Sequence, residues 1–454
     1  MVTISASAMG AKVFLQSLGC PKNLMDSEMM LGLIARDGGE VVLDPEAADV
    51  LVVNTCGFIG DAKKESIDAI LDLARLKQSD PAKRLLVAGC LAQRYGAELQ
   101  AALPEVDAFL GTGDFIRLPE ILANGVRCDA CAYGGPAHLL PDPTIPRVRT
   151  GHFFSAYLKV SEGCDHRCSF CIIPKIRGRH ESRSIESVVA EAQALAADGV
   201  VELNLIAQDL TAYGRDRRDG SSLSQLLRAL ARIDGLRWIR LLYTYPQFVS
   251  DDLLKTIADE EKVCRYIDMP LQHISDHMLR RMRRERDGAS IRRLLDRIRR
   301  RIPGVAIRTA FIVGFPGETD ADFHELLGFV REAHFERVGV FRYSKEEGTA
   351  AASFSDQIPE AVKRRRRALL MRAQAAISAA ANRRLIGSQQ RVLVCGEDQR
   401  GQLYGRLATQ APEIDGVVYL QGDLNPGEIA RVRIVGADTY DLRAEAAASG
   451  ATSH

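Results

Sequence analysis

Three apolar runs near the N-terminus, KVFLQSLG, DVLVVNT and RLLVAG, each stop at a cysteine: Cys20, Cys56 and Cys90. Between them, SEMMLGLIARDG and DAKKESIDAILDLARLK carry apolar residues at helical spacing. Strand–helix–strand alternation dictates a mainly parallel sheet. The loops that follow its strands gather on one edge, where ligands bind. Three cysteines placed just after strands can therefore meet in space although they lie far apart in sequence. Buried core thiols are the alternative reading, and the repeated strand-then-cysteine placement argues against it.

The alternation returns between Ser155 and about Arg342 with SAYLKVSEG, VVELNLIAQD, LRWIRLLYTYP, CRYIDMPLQH, VAIRTAFIVGFPG and RVGVFRYS. Helical patterns such as IESVVAEAQALAADG and DADFHELLGFVREAHF separate these runs. Six such units predict a partial α/β barrel with its site at the carboxyl ends of the strands. There, directly after the first strand, stands VSEGCDHRCSFC, with Cys164, Cys168 and Cys171 at C-x3-C-x2-C spacing.

The chain of 454 residues is too long for one core. The patterns divide it into an N-terminal parallel α/β domain (11–125) and a Pro/Gly-rich linker (126–150). A partial (β/α)6 barrel with a basic connector helix (151–384), a small all-β barrel (385–447) and a disordered tail (448–454) follow. The connector, AVKRRRRALLMRAQAAISAAANRRL, is expected to lay an apolar face on the barrel. A net charge of +1 excludes a generally polycationic nucleic-acid binder. No secretory leader and no membrane span are predicted. Ten cysteines without a leader read as reduced thiols in the cytoplasm, some of them metal ligands. Cys264 and Cys395 sit within strand patterns and read as core, and the lone pair Cys128 and Cys131 has no assigned role.

Three thiolates hold three irons of a [4Fe-4S] cluster and leave the fourth open. An open position marks a reactive centre. Zinc would need a fourth ligand, and His166, between Cys164 and Cys168, is badly placed to supply it. GTGDFI at Gly111 fails the dinucleotide fingerprint, and no G-x4-GK[ST] loop occurs. No catalytic triad or paired-carboxylate motif is visible, so no catalytic side chain is assigned.

The C-x3-C-x2-C loop, with Phe170 before its last cysteine, resembles that of the radical S-adenosylmethionine (SAM) enzymes. The resemblance implies that SAM chelates the open iron and is cleaved to a 5′-deoxyadenosyl radical. It also implies that Phe170 packs near the adenine, and that Gly314 and Glu318 in IVGFPGET lie beside the adenosine. GCPKNLMDSE, NTCGFI and AGCLAQRY further resemble the methylthiotransferases, whose Cys20, Cys56 and Cys90 equivalents ligate a second [4Fe-4S] cluster. The terminal β-barrel is similar to their TRAM domain. YTYP, PLQHIS and APEIDGVVYL are most similar to the branch acting on an aspartyl residue of small-subunit ribosomal protein uS12. That branch uses one SAM as methyl donor and a second as radical source. Implied partners are uS12 or the small ribosomal subunit, a flavodoxin- or ferredoxin-like electron donor and, as an open possibility, ribosomal RNA. From Gly387 to Glu445, six arginines against nine carboxylates give 6 − 9 = −3, which suits a basic protein better than tRNA. The run LRRMRRERDGASIRRLLDRIRRRI points the other way, with eleven arginines against three acids. A tRNA methylthiotransferase and a non-catalytic iron–sulfur carrier or RNA-binding module are the rival readings.

Overall fold

Valine- and leucine-rich strands without polar alternation need cover on both faces, and helices supply it. The computed structural model describes residues 10–123, 131–133 and 140–447. Cys128, part of the expected linker and the expected tail at 448–454 lie outside the described residues. The N-terminal segment comprises β1 (Lys12–Ser17), α1 (Pro21–Arg36), β2 (Glu40–Val41), β3 (Val50–Thr55), α2 (Gly60–Ser79), β4 (Arg84–Gly89), α3 (Cys90–Ala102), β5 (Ala108–Leu110) and α4 (Leu118–Ala123). Its sheet is parallel in the order β2-β1-β3-β4-β5. The short flanking strands β2 and β5 join the three legible in sequence. Along β3, Val50 and Val52 enter one apolar cluster while Leu51 and Val53 enter the other, so both faces are buried.

The central segment opens with β6 (Ser155–Lys159), β7 (Ser161–Glu162), α5 (Ile173–Arg177) and β8 (Glu181–Ser182). It continues through α6 (Ile185–Ala197), β9 (Glu202–Ile206), α7 (Leu223–Ala231), β10 (Trp238–Leu241), α8 (Asp251–Asp259) and β11 (Val263–Asp268). It closes with α9 (Asp276–Arg281), α10 (Gly288–Arg301), β12 (Ala306–Val313), α11 (Asp320–Ala333), β13 (Arg337–Arg342) and α12 (Glu360–Arg383). The sheet runs β6-β9-β10-β11-β12-β13, all parallel, the partial six-stranded barrel that the strand count predicts.

The basic connector is helix α12, but its buried stripe is mostly polar. Lys363, Arg366, Leu370, Gln374, Ser378 and Asn382 recur at helical spacing. Arg366 pairs with Glu318 and Asp320 at 2.6 and 2.7 Å, and Gln374 donates to the Phe335 carbonyl at 2.8 Å. Carbonyls and carboxylates of the loops flanking α11 set that chemistry, so the expected apolar contact, made by Leu370 in the barrel core, shares the interface with a polar stripe. Leu369, Met371 and Ile377 fill the flanks.

Strands β14 (Gln389–Glu397), β15 (Leu403–Leu407), β16 (Val418–Gln421), β17 (Ile429–Ala437) and β18 (Leu442–Ala446) close into a barrel in the order β14-β15-β16-β18-β17. This barrel docks on the central sheet through buried charge. Arg406 and Arg240 both donate to Glu202, at 2.6 and 2.9 Å. Tyr266 donates to Asp415 at 2.8 Å. Met25, Trp238, Cys264, Leu393, Cys395 and Ala411 form one apolar cluster drawing on all three segments, so Cys264 and Cys395 are core thiols as their pattern indicated. Asp415, in APEIDGVVYL, is thereby spent inside the molecule and adds nothing to an acidic outer face. No helix among the described residues is long and apolar enough to cross a membrane.

Candidate active site

The carboxyl ends of both sheets carry the cysteines. Cys20 caps α1, Cys90 begins α3, and Cys56 follows β3 four residues before α2. Helix N-termini favour negative charge, so thiolates gain there. The three turns touch. A Cβ on Gly19 would lie 2.8 Å from the Cys56 Cβ, and one on Gly57 would lie 2.8 Å from the Cys90 carbonyl oxygen. Asn23 of GCPKN stitches them, donating through Nδ2 to the Leu18 and Thr55 carbonyls at 2.8 and 3.2 Å. Asn54 of NTCGFI donates back to the Asn23 carbonyl at 2.8 Å.

The second group sits on a loop whose neck is the β7–β8 ribbon. Gly163 has φ +77°, and a Cβ there would lie 1.9 Å from the Arg179 carbonyl oxygen, so only glycine lets the two arms approach. The Cys171 amide turns back on the Cys168 carbonyl at 3.1 Å. Ser169 ties the loop to the end of α9, its amide donating to the Met282 carbonyl at 3.1 Å and its hydroxyl to the Arg281 carbonyl at 2.7 Å.

Burial governs the thiols. It pushes Cys56, Cys164 and Cys171 up to about 12 and raises Cys90 as well. Thiols held so strongly protonated become ligands only when a cation replaces the proton. Each group also has a guanidinium in contact. Arg177 lies 3.3 Å from the Cys90 sulfur, and Arg284 lies 3.5 Å from the Cys168 sulfur. Among the described residues no three His, Cys, Asp or Glu side chains converge on the position of a single metal ion. A cubane spreads its thiolates wider than one ion does, and two all-thiol triads at open loop edges fit that larger group.

Arg177 was hidden in sequence, inside IPKIRGRH. It leaves the second cysteine loop and reaches the first cysteine group. It donates to Asp26 at 2.7 Å, Glu162 at 3.3 Å and the Asn23 side-chain oxygen at 3.0 Å. Lys159 completes this buried quartet, 2.5 Å from Asp26 and 2.8 Å from Glu162. Lys22 of GCPKN lies over the ring of Tyr243 of YTYP, 2.8 Å from its centroid, and burial pushes it down to about 8. Arg284 was legible only as one of many arginines. It donates to the Pro270 carbonyl at 2.9 Å and stacks 4.0 Å over Tyr245.

A cavity of about 760 Å³ opens beside Cys164, walled in part by His166, Asp209, Arg215, Phe248 and Glu285. His166 has both ring nitrogens engaged, with Asp209 at 2.7 Å and Glu285 at 3.3 Å, and stacks on Tyr245 at 3.8 Å. Burial works against its charge, but the two carboxylates prevail and raise it to about 9. Phe170 packs edge-on to Phe315, with centroids 6.5 Å apart. Gly314 has φ +70°, and the space its Cβ would take is filled by the Lys363 side chain, 2.3 Å away. Glu318 is fully buried and accepts from the Gly314 amide, His273 and Arg366 at 2.5, 3.1 and 2.6 Å. Gly314 and Glu318 thus lock the end of β12 onto α12.

Three family models match the chain: "Uncharacterized protein family UPF0004" over residues 12–111, "Radical SAM superfamily" over 158–330 and "TRAM domain" over 386–447. The fold is similar to a radical SAM methyltransferase, TsrM, from Kitasatospora setae (TM-score 0.55, 16% identity, 73% of each chain covered). The chain is 52% identical over 439 residues to "Ribosomal protein uS12 methylthiotransferase RimO" of Pelobacter propionicus, covering 96% of this chain and 97% of that one. Its counterpart in Geobacter sulfurreducens is 51% identical over 438 residues, covering 96% and 98%. Identity at that level from end to end, through all three segments, makes this chain a member of the uS12 methylthiotransferase family and a radical SAM methylthiotransferase, with iron–sulfur and SAM as its cofactors.

Proposed function

We propose that the chain methylthiolates the β-carbon of an aspartyl residue of ribosomal protein uS12. Cys164, Cys168 and Cys171 hold one [4Fe-4S] cluster, and Cys20, Cys56 and Cys90 hold a second. The observation that carries this reading is the end-to-end similarity to proteins bearing that name, with both cysteine triads present. Bound at these loops, the clusters and two molecules of SAM supply a methyl group, a sulfur carrier and a carbon-centred radical able to open an unactivated C–H bond.

The chain's own residues hold, orient and shield. Gly163 and the β7–β8 ribbon fix the loop that presents the second triad. Phe170, packed with Phe315 and Ile312, offers the apolar surface suited to adenosine, while Gly314 and Glu318 hold the nearby end of β12 against α12. Arg177 and Arg284 each set a positive charge against a thiolate set, offsetting the anionic charge of three sulfurs. The quartet Lys159–Asp26–Arg177–Glu162 fixes the distance between the two triads, so that groups held on each face one another. An external flavodoxin- or ferredoxin-like protein supplies electrons. Anaerobic turnover with SAM, a reductant and either uS12 or tRNA, read by mass spectrometry, tests the assignment. The expected result is one methylthio group on an aspartyl residue of uS12 with tRNA unchanged. Modification of tRNA alone would overturn it.

A further inference from the structure

Helix α10 buries Ile291, Leu294, Leu295 and Ile298 against the barrel and turns its arginines outward. Those arginines fall into two stripes with different surroundings. Arg292 and Arg299 meet carboxylates next door, pairing with Glu332 at 2.6 Å and Glu336 at 3.1 Å. Arg293, Arg297 and Arg300 follow the other stripe at 4- and 3-residue steps, which places them on one face. With Arg286 they line a groove of about 440 Å³ whose one lining carboxylate among the described residues is Asp296.

The polar groups in this groove are under-used. The Nε atoms of Arg286 and Arg297 are buried without a hydrogen-bond partner among the described residues. The remaining bonds run from Arg297 to the Val249 carbonyl at 3.0 Å and to Asp251 at 3.6 Å, from Arg286 to the Gln247 carbonyl at 3.2 Å, and from Arg293 to the Ser290 hydroxyl at 2.8 Å. Burial first, then the neighbouring Arg297 and Arg293, pushes Arg286 below its ordinary value. Arg293 and Arg300 are exposed in this groove and pair with no carboxylate among the described residues, which leaves their guanidiniums open to anionic oxygens from outside. Its position is also informative, because Gln247, the neighbour of Arg286, lines the cavity beside Cys164 along with Phe248 and Glu285.

We infer that this arginine groove binds the phosphodiester backbone of RNA and seats the substrate's RNA surroundings at the mouth of the active site. Four arginines against one aspartate give the groove 4 − 1 = +3, three of the arginines on one helix face, which matches a string of phosphates, each contact releasing a counterion. Planar guanidiniums suit phosphate oxygens better than ammonium groups do. The inference rests on the proposed reading for which RNA is bound, but RNA binding itself needs no turnover, so the two can fail separately.

Anisotropy of a labelled RNA hairpin, titrated with the full-length, iron-loaded chain over a potassium chloride series, tests it. Arg293→Glu/Arg300→Glu should weaken binding at least about tenfold and shallow the salt slope by about two, one unit for each arginine. A control reversal on the terminal barrel, Arg391→Glu, should bind as the parent does. Methylthiolation of isolated uS12 by the double variant should remain unchanged, while that of the assembled small subunit should fall. Unchanged affinity and slope in the double variant, an equal loss in the control, or displacement of RNA by polyglutamate as readily as by unlabelled RNA would overturn the assignment.

Discussion

Arg177, which no motif announces, ties the two cysteine groups together. Its guanidinium touches the Cys90 sulfur, Asp26, Glu162 and Asn23 while its backbone belongs to the helix after Cys171. Removing it leaves Asp26 and Glu162 buried with only Lys159 between them. An uncompensated buried carboxylate costs about 3–5 kcal/mol. Arg177→Met should therefore lower the free energy of unfolding by about 3–5 kcal/mol in a denaturant titration. Arg177→Lys should not restore it, because one ammonium cannot span four acceptors. Loss of less than about 1 kcal/mol would show that the quartet is dispensable. Nothing in sequence singled out this arginine, since its partners come from α1, β7 and the first cysteine group, which only the folded chain brings together. The cysteines were legible because strand-then-cysteine placement is a local pattern.

At the scale of elements, the alternation of apolar and helical runs specified both parallel sheets, and it missed what local pattern cannot carry. Strands β2 and β5 are two and three residues long and have no periodicity to read. Helix α12 looked amphipathic in the ordinary sense, yet it buries Arg366, Gln374 and Ser378 against carbonyls and carboxylates supplied by β12, β13 and their loops. The docking of β15 on β9 and β10 was equally hidden, because its carriers, Arg406, Arg240 and Glu202, look like surface residues in sequence. Burial alone would raise Glu202, but Arg406 and Arg240 more than reverse that and hold it well below the usual glutamate range. A depressed carboxylate stabilises the fold fully above its unfolded value of about 4.3 and loses that contribution as pH falls toward its folded value. Trp238, the chain's single tryptophan, lies in the apolar cluster between these strands and reports the junction. Its emission should stay constant from neutral pH down to about 4.3 and shift to the red only below that. In Glu202→Gln, which leaves two buried guanidiniums short of a counter-charge, the red-shifted emission should already be present at neutral pH. An acid transition identical in the variant and the parent would rule out Glu202 as the junction's electrostatic link.

The whole molecule brings two parallel sheets together so that the carboxyl edge of each carries a cysteine triad, with a buried ion quartet between them and a closed β-barrel bracing the central sheet from another side. The division of labour follows from this placement. In the proposed function, one sheet edge would hold what is to be transferred and the other the source of the radical, with the quartet between them. The claim on which this rests is that each triad holds its own [4Fe-4S] cluster. Anaerobic reconstitution followed by iron and sulfide counting and Mössbauer spectroscopy measures it directly. The account predicts two cubanes in the parent chain, one in Cys164→Ala/Cys168→Ala/Cys171→Ala and one in Cys20→Ala/Cys56→Ala/Cys90→Ala. A single cubane in the parent, or the loss of both on removing either triad, would contradict it.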